Sequence, residues 1–251
     1  MVDTKTSGGV QSVERAFFLL ELLADNGDLS LTELSNSIEL PAPTTHRLLK
    51  TLVSLGYVRQ LPNRRYSLGL GLVRMAGRVD TQFGPVAKPH LELLARETGE
   101  SANLAVLESD MMVYIAQAPS PHAMRMFTEV GHRAYTHSTG VGKAILAQLP
   151  EQQVDRIVGR AGMPAATTKT IVDPAKLRTE LARVRRQGYA MDNGEQENGV
   201  SCYAVPVTGV PISMAISISG PAFRITKDLG RKAVPLLQEE ATKLAAELAG
   251  L

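Results

Sequence analysis

The chain has little cysteine, no long hydrophobic run and no excess of charge of either sign. Only one cysteine, Cys202, occurs among the 251 residues, which excludes an internal disulfide framework and fits a reducing compartment. No apolar run reaches the roughly 18–20 residues that a membrane-spanning helix needs. No hydrophobic signal segment follows the polar start MVDTKTSGG. We therefore expect a cytoplasmic protein that has no membrane partner.

The charges are nearly balanced overall but unevenly distributed along the chain. The formal net charge is +2, and the hydrophobic and charged fractions of 44% and 21% are those of an ordinary globular protein. Residues 1–40 contain seven acidic and two basic residues, whereas residues 41–65 contain five basic residues and no acidic one. Such a basic segment is either an electrostatic footprint for a polyanion or a solvated basic face.

The N-terminal segment shows the pattern of three helices. Apolar residues at helical spacing predict a first helix with Ser12 as its N-cap. Its expected inward residues are Val13, Ala16, Phe17, Leu20, Leu23 and Ala24. Ser30 and Glu33 form a capping-box sequence that opens a short second helix. A third helix is expected with Pro43 at its N1 position and Gly56 at C′.

The third helix and the segment after it combine the features of a DNA reader. The outward side of the helix is expected to carry small polar and basic side chains without a carboxylate, and a basic hairpin with strands at 57–60 and 66–68 follows. The major groove admits one helix, and phosphates flank that groove on both sides. The pattern therefore predicts a winged helix-turn-helix. The expected DNA-binding residues are Arg15, Ser30, Thr44, Thr45, Arg47, Lys50, Arg64 and Arg65.

The pattern changes after residue 68. A glycine-punctuated apolar stretch at 69–84 predicts a linker helix that packs against a partner copy, or else a simple spacer. The remainder predicts an α+β domain with a largely antiparallel sheet. Its expected elements are a helix ending near Gly99, strands at 102–107 and 111–116, helices at 138–149 and 173–188, strands at 189–192, 201–207 and 212–219, and a last helix from about Thr226. Pro235 should kink or interrupt that last helix.

Two sets of segments resemble one known family. Similarity to the DNA-binding domain of IclR-type transcriptional regulators is carried by VQSVERAFFLLELLA, LSLTELS, LPAPTTHRLLKTLVSLGYV and YSLG. Similarity to the effector-binding domain of the same family is carried by HSTGVGKAILAQLP, LARVRRQGYAMDNGEQENGVSCYAVPV and AISISGPAFRIT. The resemblance covers about residues 10–249 and includes the signature spacing of Gly188, Asp192, Glu195 and Cys202. The chain departs from the family pattern at Pro43, Thr45, Tyr203 and residues 208–209.

The resemblance implies an α/β two-domain architecture. The expected parts are a winged helix-turn-helix at 1–68, a linker helix at 69–84 and a GAF/profilin-like α+β effector-binding domain at 85–251. It also implies a small-molecule pocket between the sheet and the helix entered through Gly140. The expected effector-binding residues are Ala123, Met126, Ala134, Gly140, Val141, Asp192, Cys202, Ser217 and Ser219.

The chemistry of these residues suits a carboxylate or an aromatic compound. Amides at a helix N-terminus attract anions, and hydroxyls two residues apart on a strand point to one side. The alternative interpretations are that Cys202 is a small buried hydrophobe, that Ser217 and Ser219 bond across the sheet, and that Asp192 caps the turn after it. Both sets of interpretations remain open at this point.

Two other functions are compatible with parts of the sequence. An enzyme would use Cys202 as a nucleophile with His137 and Asp192 as partners, but nothing nearby in the sequence would activate the thiol. A DNA-architectural protein would bind DNA without any effector. A metal site built from His122, His132, His137 and Cys202 lacks a tight ligand spacing, so we expect no metal and no other cofactor.

The interpretation that uses both domains is a non-enzymatic, ligand-responsive repressor of a local catabolic operon. It is expected to bind a palindromic site on double-stranded DNA as a homodimer or homotetramer, because dimeric readers place their recognition helices about one DNA turn apart.

Overall fold

The structure, a computed structural model, describes residues 9–73, 75, 83–126 and 128–250. The chain divides into two compact units, residues 1–79 and 80–251. Half of the linker helix expected at 69–84 lies outside the described residues; of those described, residues 71–73 and 75 are helical and residue 84 begins the next helix. In the described part of the chain, no helix combines the length and the apolarity needed to cross a membrane.

Residues 9–68 of the first unit form three helices and a two-stranded antiparallel hairpin, as predicted. Its elements are α1 (Gln11–Asn26), α2 (Leu31–Ser37), α3 (Ala42–Ser54), β1 (Val58–Gln60) and β2 (Tyr66–Leu68). Leu29 exchanges both main-chain hydrogen bonds with Tyr66, at 3.0 and 2.7 Å. The turn between α1 and α2 is thereby joined to the hairpin, which fixes the wing against the helices.

The capping residues predicted the start of α2 and the C-terminal end of α3, whereas the starts of α1 and α3 differ from the prediction. The Ser30–Glu33 capping box is present in both directions, and Gly56 follows α3 with a φ of +80° that favours glycine. Helix α3 begins one residue earlier than expected, so Pro43 occupies N2. Ser12 does not cap α1, because the helix already begins at Gln11 and no side chain caps it.

The inward face of α1 is also rotated from the predicted one. Leu19 and Leu23 are buried, whereas Val13 and Phe17 are 52% and 61% exposed and Ala24 is exposed as well. The segment AFFLLELLA is apolar around most of the helix, so its pattern allows more than one inward stripe. Packing of α1 against α3 and β2 selects among them, and the sequence of α1 alone does not contain that information.

The second unit is built on a six-stranded antiparallel sheet. Its elements are α4 (Gly84–Thr98), β3 (Ser101–Glu108), β4 (Met111–Ala118), β5 (Arg133–Tyr135), α5 (Gly140–Leu146), α6 (Glu151–Ala161), α7 (Pro174–Gln187), β6 (Ala190–Asn193), β7 (Val200–Val207), β8 (Met214–Pro221) and α8 (Lys227–Ala249). The strand order is β5-β4-β3-β8-β7-β6. The largely antiparallel α+β architecture is confirmed.

Helices cover both faces of this sheet. On one face, α4 and α8 bury residues such as Leu91 and Leu237 against Ile216. On the other face, α5 to α7 form a separate cluster with the sheet. The sheet contributes alanines to this second cluster, Ala105, Ala204 and Ala215, and small side chains allow α5 to lie close to the strands.

Three details of the second unit differ from the sequence prediction. Helix α5 spans only 140–146 rather than 138–149, while β5 and α6 were not predicted. Pro235 does not end the last helix, which is continuous from Lys227 to Ala249. Pro235 is exposed, and the buried stripe of Ala233, Leu237, Ala241 and Leu244 holds the helix on the sheet despite the missing main-chain donor.

Candidate functional sites: a DNA-binding surface and an effector face

Helix α3 presents the polar, basic surface that the sequence predicts. Thr44, Arg47 and Lys50 are exposed, and no carboxylate lies on the helix. The opposite side is held in the core by Leu49 and Leu52. A helix anchored in this way can expose its outer side chains to a DNA groove while its backbone remains fixed.

Thr45 is not on this surface. Its side chain is completely buried, and its hydroxyl lies 3.4 Å from the main-chain carbonyl of Pro41, to which it donates. Thr45 is one of three buried residues of α3, with Leu49 and Leu52, because helical spacing places it on their side. This corrects the expectation that Thr45 contacts DNA.

The two arginines of the wing turn have different environments. Arg64 is exposed, with a left-handed φ of 64°. Arg65 donates to the carbonyl of Asp28 and forms ion pairs with Asp28 and Glu33, both at 3.0 Å. Arg65 is therefore a structural link to α2, and only Arg64 is free to approach a phosphate.

The remaining predicted DNA-binding residues are Arg15 and Ser30. Arg15 is half-buried on α1. The Ser30 hydroxyl oxygen accepts the amide of Glu33 at 3.3 Å, which leaves its proton to donate elsewhere. His46 on α3 and Arg59 on β1 are exposed too. The sequence did not single out either residue, because a basic or polar residue type alone does not distinguish a DNA contact from a solvated side chain.

On the second unit, the predicted polar effector residues lie on one face of the sheet. Strand register places Cys202 directly opposite both Asp192 and Ser219. It likewise places Ser217 between Ala204 and Asn103. These residues alternate in phase with Ala204 and Ala215, which pack with Val141 of α5. The effector face defined by Asp192, Cys202, Ser217 and Ser219 is therefore the face that α5 covers.

Asn103 and Gln117 complete this polar row, and the sequence did not single them out. The Asn103 side-chain amide donates to the hydroxyls of Ser219 and Ser217 at 3.0 and 3.4 Å. Gln117 donates to the Asn103 carbonyl oxygen at 3.0 Å. The alternative that the two serines bond across the sheet is thus correct, with Asn103 as the bridge. Strand pairing brings residues 114 positions apart into contact, which no local pattern reveals.

Gly140 meets the effector face at very close range. A Cβ atom at position 140 would lie 2.4 Å from the Cys202 sulfur, so only glycine fits there. The Gly140 and Asp192 amides lower the pKa of the Cys202 thiol, against the larger effect of burial. The Gly140 amide, which was expected to meet a ligand, therefore lies beside Cys202.

Asp192 has a partner within its own turn. One of its carboxylate oxygens accepts the amide of Glu195 at 2.6 Å, so Asp192 does cap the turn that follows it. Burial is the main cause that raises the pKa of Asp192, to about 6. Burial and then the neighbouring Asp192 also raise the pKa of the Cys202 thiol, to about 12.

Tyr114 is a further neighbour of this pair. Burial chiefly raises the pKa of its phenol, with smaller contributions from Cys202 and Asp192. Of the three predicted wall residues, Ala134 is buried opposite Met112, Met126 is half-buried and Ala123 is exposed. Ser101 ties Met126 to the sheet by donating to its carbonyl at 2.8 Å.

The environment of Cys202 does not favour thiol catalysis. A thiol with a raised pKa remains protonated at neutral pH and is a poor nucleophile. The His137 ring nitrogen Nε2 lies 3.1 Å from the carbonyl of Pro164, so that nitrogen is already committed to a main-chain partner. Among the residues that the structure describes, no three His, Cys, Asp or Glu side chains form a group that could hold a metal ion.

Comparison with protein-family models identifies the family to which this chain belongs. The model of the bacterial transcriptional regulator IclR C-terminal domain matches residues 80–246, and that of the IclR helix-turn-helix domain matches residues 12–62. The chain belongs to the IclR family. Transcriptional repressor IclR of Escherichia coli K12 is 38% identical to it over 231 residues, which cover 88% of this chain and 84% of the relative.

Solved structures show the same architecture as this IclR-family chain. An IclR transcriptional regulator from Alicyclobacillus acidocaldarius superposes with a TM-score of 0.80 at 31% identity, covering 95% of this chain and 98% of the other. An IclR homologue from Microbacterium hydrocarbonoxydans, complexed with 4-hydroxybenzoate, gives a TM-score of 0.81 at 24% identity, covering 96% and 100%. The protein is thus a DNA-binding transcriptional regulator of the IclR family, and relatives such as the IclR repressor and KdgR of Escherichia coli K12 are named as regulators or repressors.

Proposed function

We propose that this chain represses a local catabolic operon and that its affinity for operator DNA changes when a small organic acid or aromatic metabolite binds the effector face. The DNA contacts come from Thr44, Arg47 and Lys50 on α3, from Arg64 in the wing and from Ser30 at the start of α2. Arg47 reads a base edge and Arg64 contacts a phosphate.

The observation that carries the proposal is the concentration of buried polar groups on one face of the second sheet. Asp192, Ser217 and Asn103 are 4%, 2% and 1% exposed; Asn103 donates to Ser217 and Ser219, and one Asp192 oxygen accepts the amide of Glu195. Burial of polar groups is unfavourable unless they find partners. A set of hydroxyl, amide and carboxyl groups that converge beside small alanines is typical of a ligand site.

The state of Asp192 decides which ligands suit this face. Its pKa of about 6 leaves the carboxyl group able to gain a proton near neutral pH, and a neutral carboxyl group can donate to a ligand carboxylate. Aromatic acids combine that carboxylate with a flat apolar body. The Microbacterium hydrocarbonoxydans relative was complexed with such an acid, 4-hydroxybenzoate, which makes this compound a reasonable first probe here.

The regulator acts as a homodimer or homotetramer on a palindromic operator. Two winged domains can present two α3 helices to half-sites about one DNA turn, roughly 34 Å, apart. Effector binding then changes the spacing or the assembly of the DNA-binding domains and so changes DNA affinity.

The test is operator binding at fixed salt while candidate effectors are titrated. The operator is the intergenic DNA beside the gene, and the effectors are substrates of the pathway encoded by the neighbouring genes, together with 4-hydroxybenzoate. We expect at least one of them to change the operator affinity about tenfold, within the usual range of allosteric coupling. If no compound changes the affinity, the protein is a ligand-independent DNA-architectural protein and the proposal is wrong.

A pair of variants locates the response. Ser219→Val puts an apolar group on the effector face and should abolish the effector response while basal operator binding persists. Thr242→Val makes the same kind of change at an exposed position of α8 and should respond as the parent does. Equal responses of both variants would contradict the placement of the effector on this face.

A further inference from the structure

Lys143 is a buried lysine on the helix that covers the effector face. It lies in α5, three residues after Gly140, and its side chain is 1% exposed. Its ammonium group donates a hydrogen bond to the carboxylate of Glu195 and lies 3.8 Å from a Glu180 oxygen. Lysines are almost never fully buried unless they are paired, and a buried pair is poor evidence of stability for its own sake. The position of this pair therefore calls for a functional explanation.

The partner of Lys143 belongs to the turn that Asp192 caps. Glu195 donates its amide to Asp192 and offers its carboxylate to Lys143. Thr167 and Thr170 hold the same turn from the opposite side, by donating to the carbonyls of Gly194 and Glu195 at 2.7 and 2.6 Å. The main chain of the turn is thus fixed without Lys143, and the ion pair adds a link between this turn and α5.

The other Glu195 oxygen, Oε2, is buried and has no partner among the described residues. A carboxylate with one unpaired buried oxygen is costly, and the pKa of Glu195 is raised, chiefly by burial, although Lys143 opposes the shift. Because burial of the Glu195 carboxylate is unfavourable, we expect its charge to have a role, and that role is its effect on a neighbouring group.

That neighbour is the Asp192 carboxyl group. The titratable and charged groups that act on it are Lys143 on α5, Glu195 in its own turn, Cys202 on β7 and Tyr114 on β4. The ion pair itself is flanked by Glu180 and Arg183 on α7 and by His137 before α5. After burial, which is the largest cause, Glu195 raises the pKa of Asp192 and Lys143 lowers it. The two members of the ion pair therefore act on Asp192 with opposite signs.

We propose that Lys143 is a positioning residue for effector recognition: through Glu195 it ties α5 to the turn that presents Asp192, and both charges of this ion pair act on that carboxyl group. The inference rests on the proposed function, in which the effector binds this face. A neutral Asp192 donates a hydrogen bond to a ligand carboxylate, whereas an ionised Asp192 repels it and only accepts from ligand donors. The ion pair between α5 and this turn thus determines the class of ligand that the face accepts.

The test is the titration of Asp192 itself, followed by carboxyl ¹³C NMR on the full-length protein labelled at aspartate. Asp192→Asn assigns the resonance. The parent should titrate with a midpoint near pH 6. Lys143→Met should move the midpoint up and Glu195→Gln should move it down, each by about one pH unit, as expected for the loss of a nearby charge. Lys169→Met removes an exposed lysine that lies beside the same turn and should leave the midpoint unchanged.

Opposite shifts would support the proposal, because a merely structural pair would not move the midpoint with the sign of the removed charge. Shifts of the same sign, or shifts as small as that of Lys169→Met, would overturn it. If Lys143→Met does not fold, the double variant Lys143→Met/Glu195→Gln removes both charges. Its Asp192 midpoint should be higher than that of Glu195→Gln alone. A midpoint equal to or lower than that of Glu195→Gln would overturn the proposal. The titration needs no effector, so its failure is separate from failure of the proposed function, which the operator-binding experiment tests.

Discussion

Arg65, at the end of the wing turn, is bound to Asp28, in the turn between α1 and α2. Its guanidinium donates to the Asp28 carbonyl at 2.8 Å and pairs with the Asp28 carboxylate at 3.0 Å. The wing is thereby held against the helices through one side chain. Part of the basic charge counted along residues 41–65 is neutralised within the domain.

Arg64 and Arg65 should therefore behave differently when each is replaced by alanine. Arg64→Ala should lower the salt dependence of operator binding by about one counterion, because a phosphate contact is lost. Arg65→Ala should leave that slope unchanged and lower the free energy of unfolding of the DNA-binding domain by about 0.5–1 kcal/mol, since its ion pairs are partly exposed. Fluorescence anisotropy at several salt concentrations and denaturant unfolding measure the two effects. A smaller slope for Arg65→Ala than for Arg64→Ala would contradict the assignment.

Arg47→Ala should weaken operator binding by about 1–3 kcal/mol, because Arg47 is placed to read a base edge. Binding to unrelated DNA of the same length should change much less, since a base contact supplies specificity rather than general affinity. Equal losses on both DNAs, as for a phosphate contact, would count against α3 as the recognition helix.

Neighbouring threonines on α3 provide a matched pair. Thr44→Val removes an exposed hydroxyl from the proposed DNA surface and should reduce operator affinity severalfold, by about 1 kcal/mol for one lost hydrogen bond. Thr45→Val alters a buried side chain and should leave operator affinity unchanged at temperatures where the domain is folded. A loss of affinity for Thr45→Val with no change for Thr44→Val would show that α3 presents a different side to DNA.

The difference between Thr44 and Thr45 also shows which structural features the sequence predicts and which depend on tertiary packing. Local signals such as the Ser30–Glu33 capping box and Gly56 after α3 predicted the helix ends, and alternation predicted β3 and β4 on either side of Ser109. The inward side of α1 and the burial of Thr45 depend on which surface meets its neighbours. A segment that is apolar on several sides leaves that choice to tertiary packing.

The effector face was predictable only in part for the same reason. Family resemblance supplied Asp192, Cys202 and the two serines. Asn103, which bridges those serines, lies on β3, more than a hundred residues before Ser219 in the chain. No local sequence pattern indicates which strands pair in the sheet. Likewise, nothing in the spacing of Lys143 and Glu195 indicates that they meet.

Gly140 and Cys202 should show strong coupling. Gly140→Ala places a methyl group against the sulfur and should lower the free energy of unfolding by about 1–3 kcal/mol, as overpacking does. Cys202→Ala makes room for it, so the double variant should be more stable than the sum of the single effects indicates. Thermal or denaturant unfolding of all four proteins measures the coupling energy. Strict additivity would mean that α5 does not rest on Cys202.

The effector face and the DNA surface of this chain should be thermodynamically coupled, and linkage provides a direct test of that coupling. If an effector changes the operator affinity by some factor, the operator must change the effector affinity by the same factor. The measurement is calorimetric titration of the active compound into the full-length protein, alone and saturated with operator DNA. We expect a shift in effector affinity equal to the shift in DNA affinity. An effector affinity that is the same with and without DNA would contradict it.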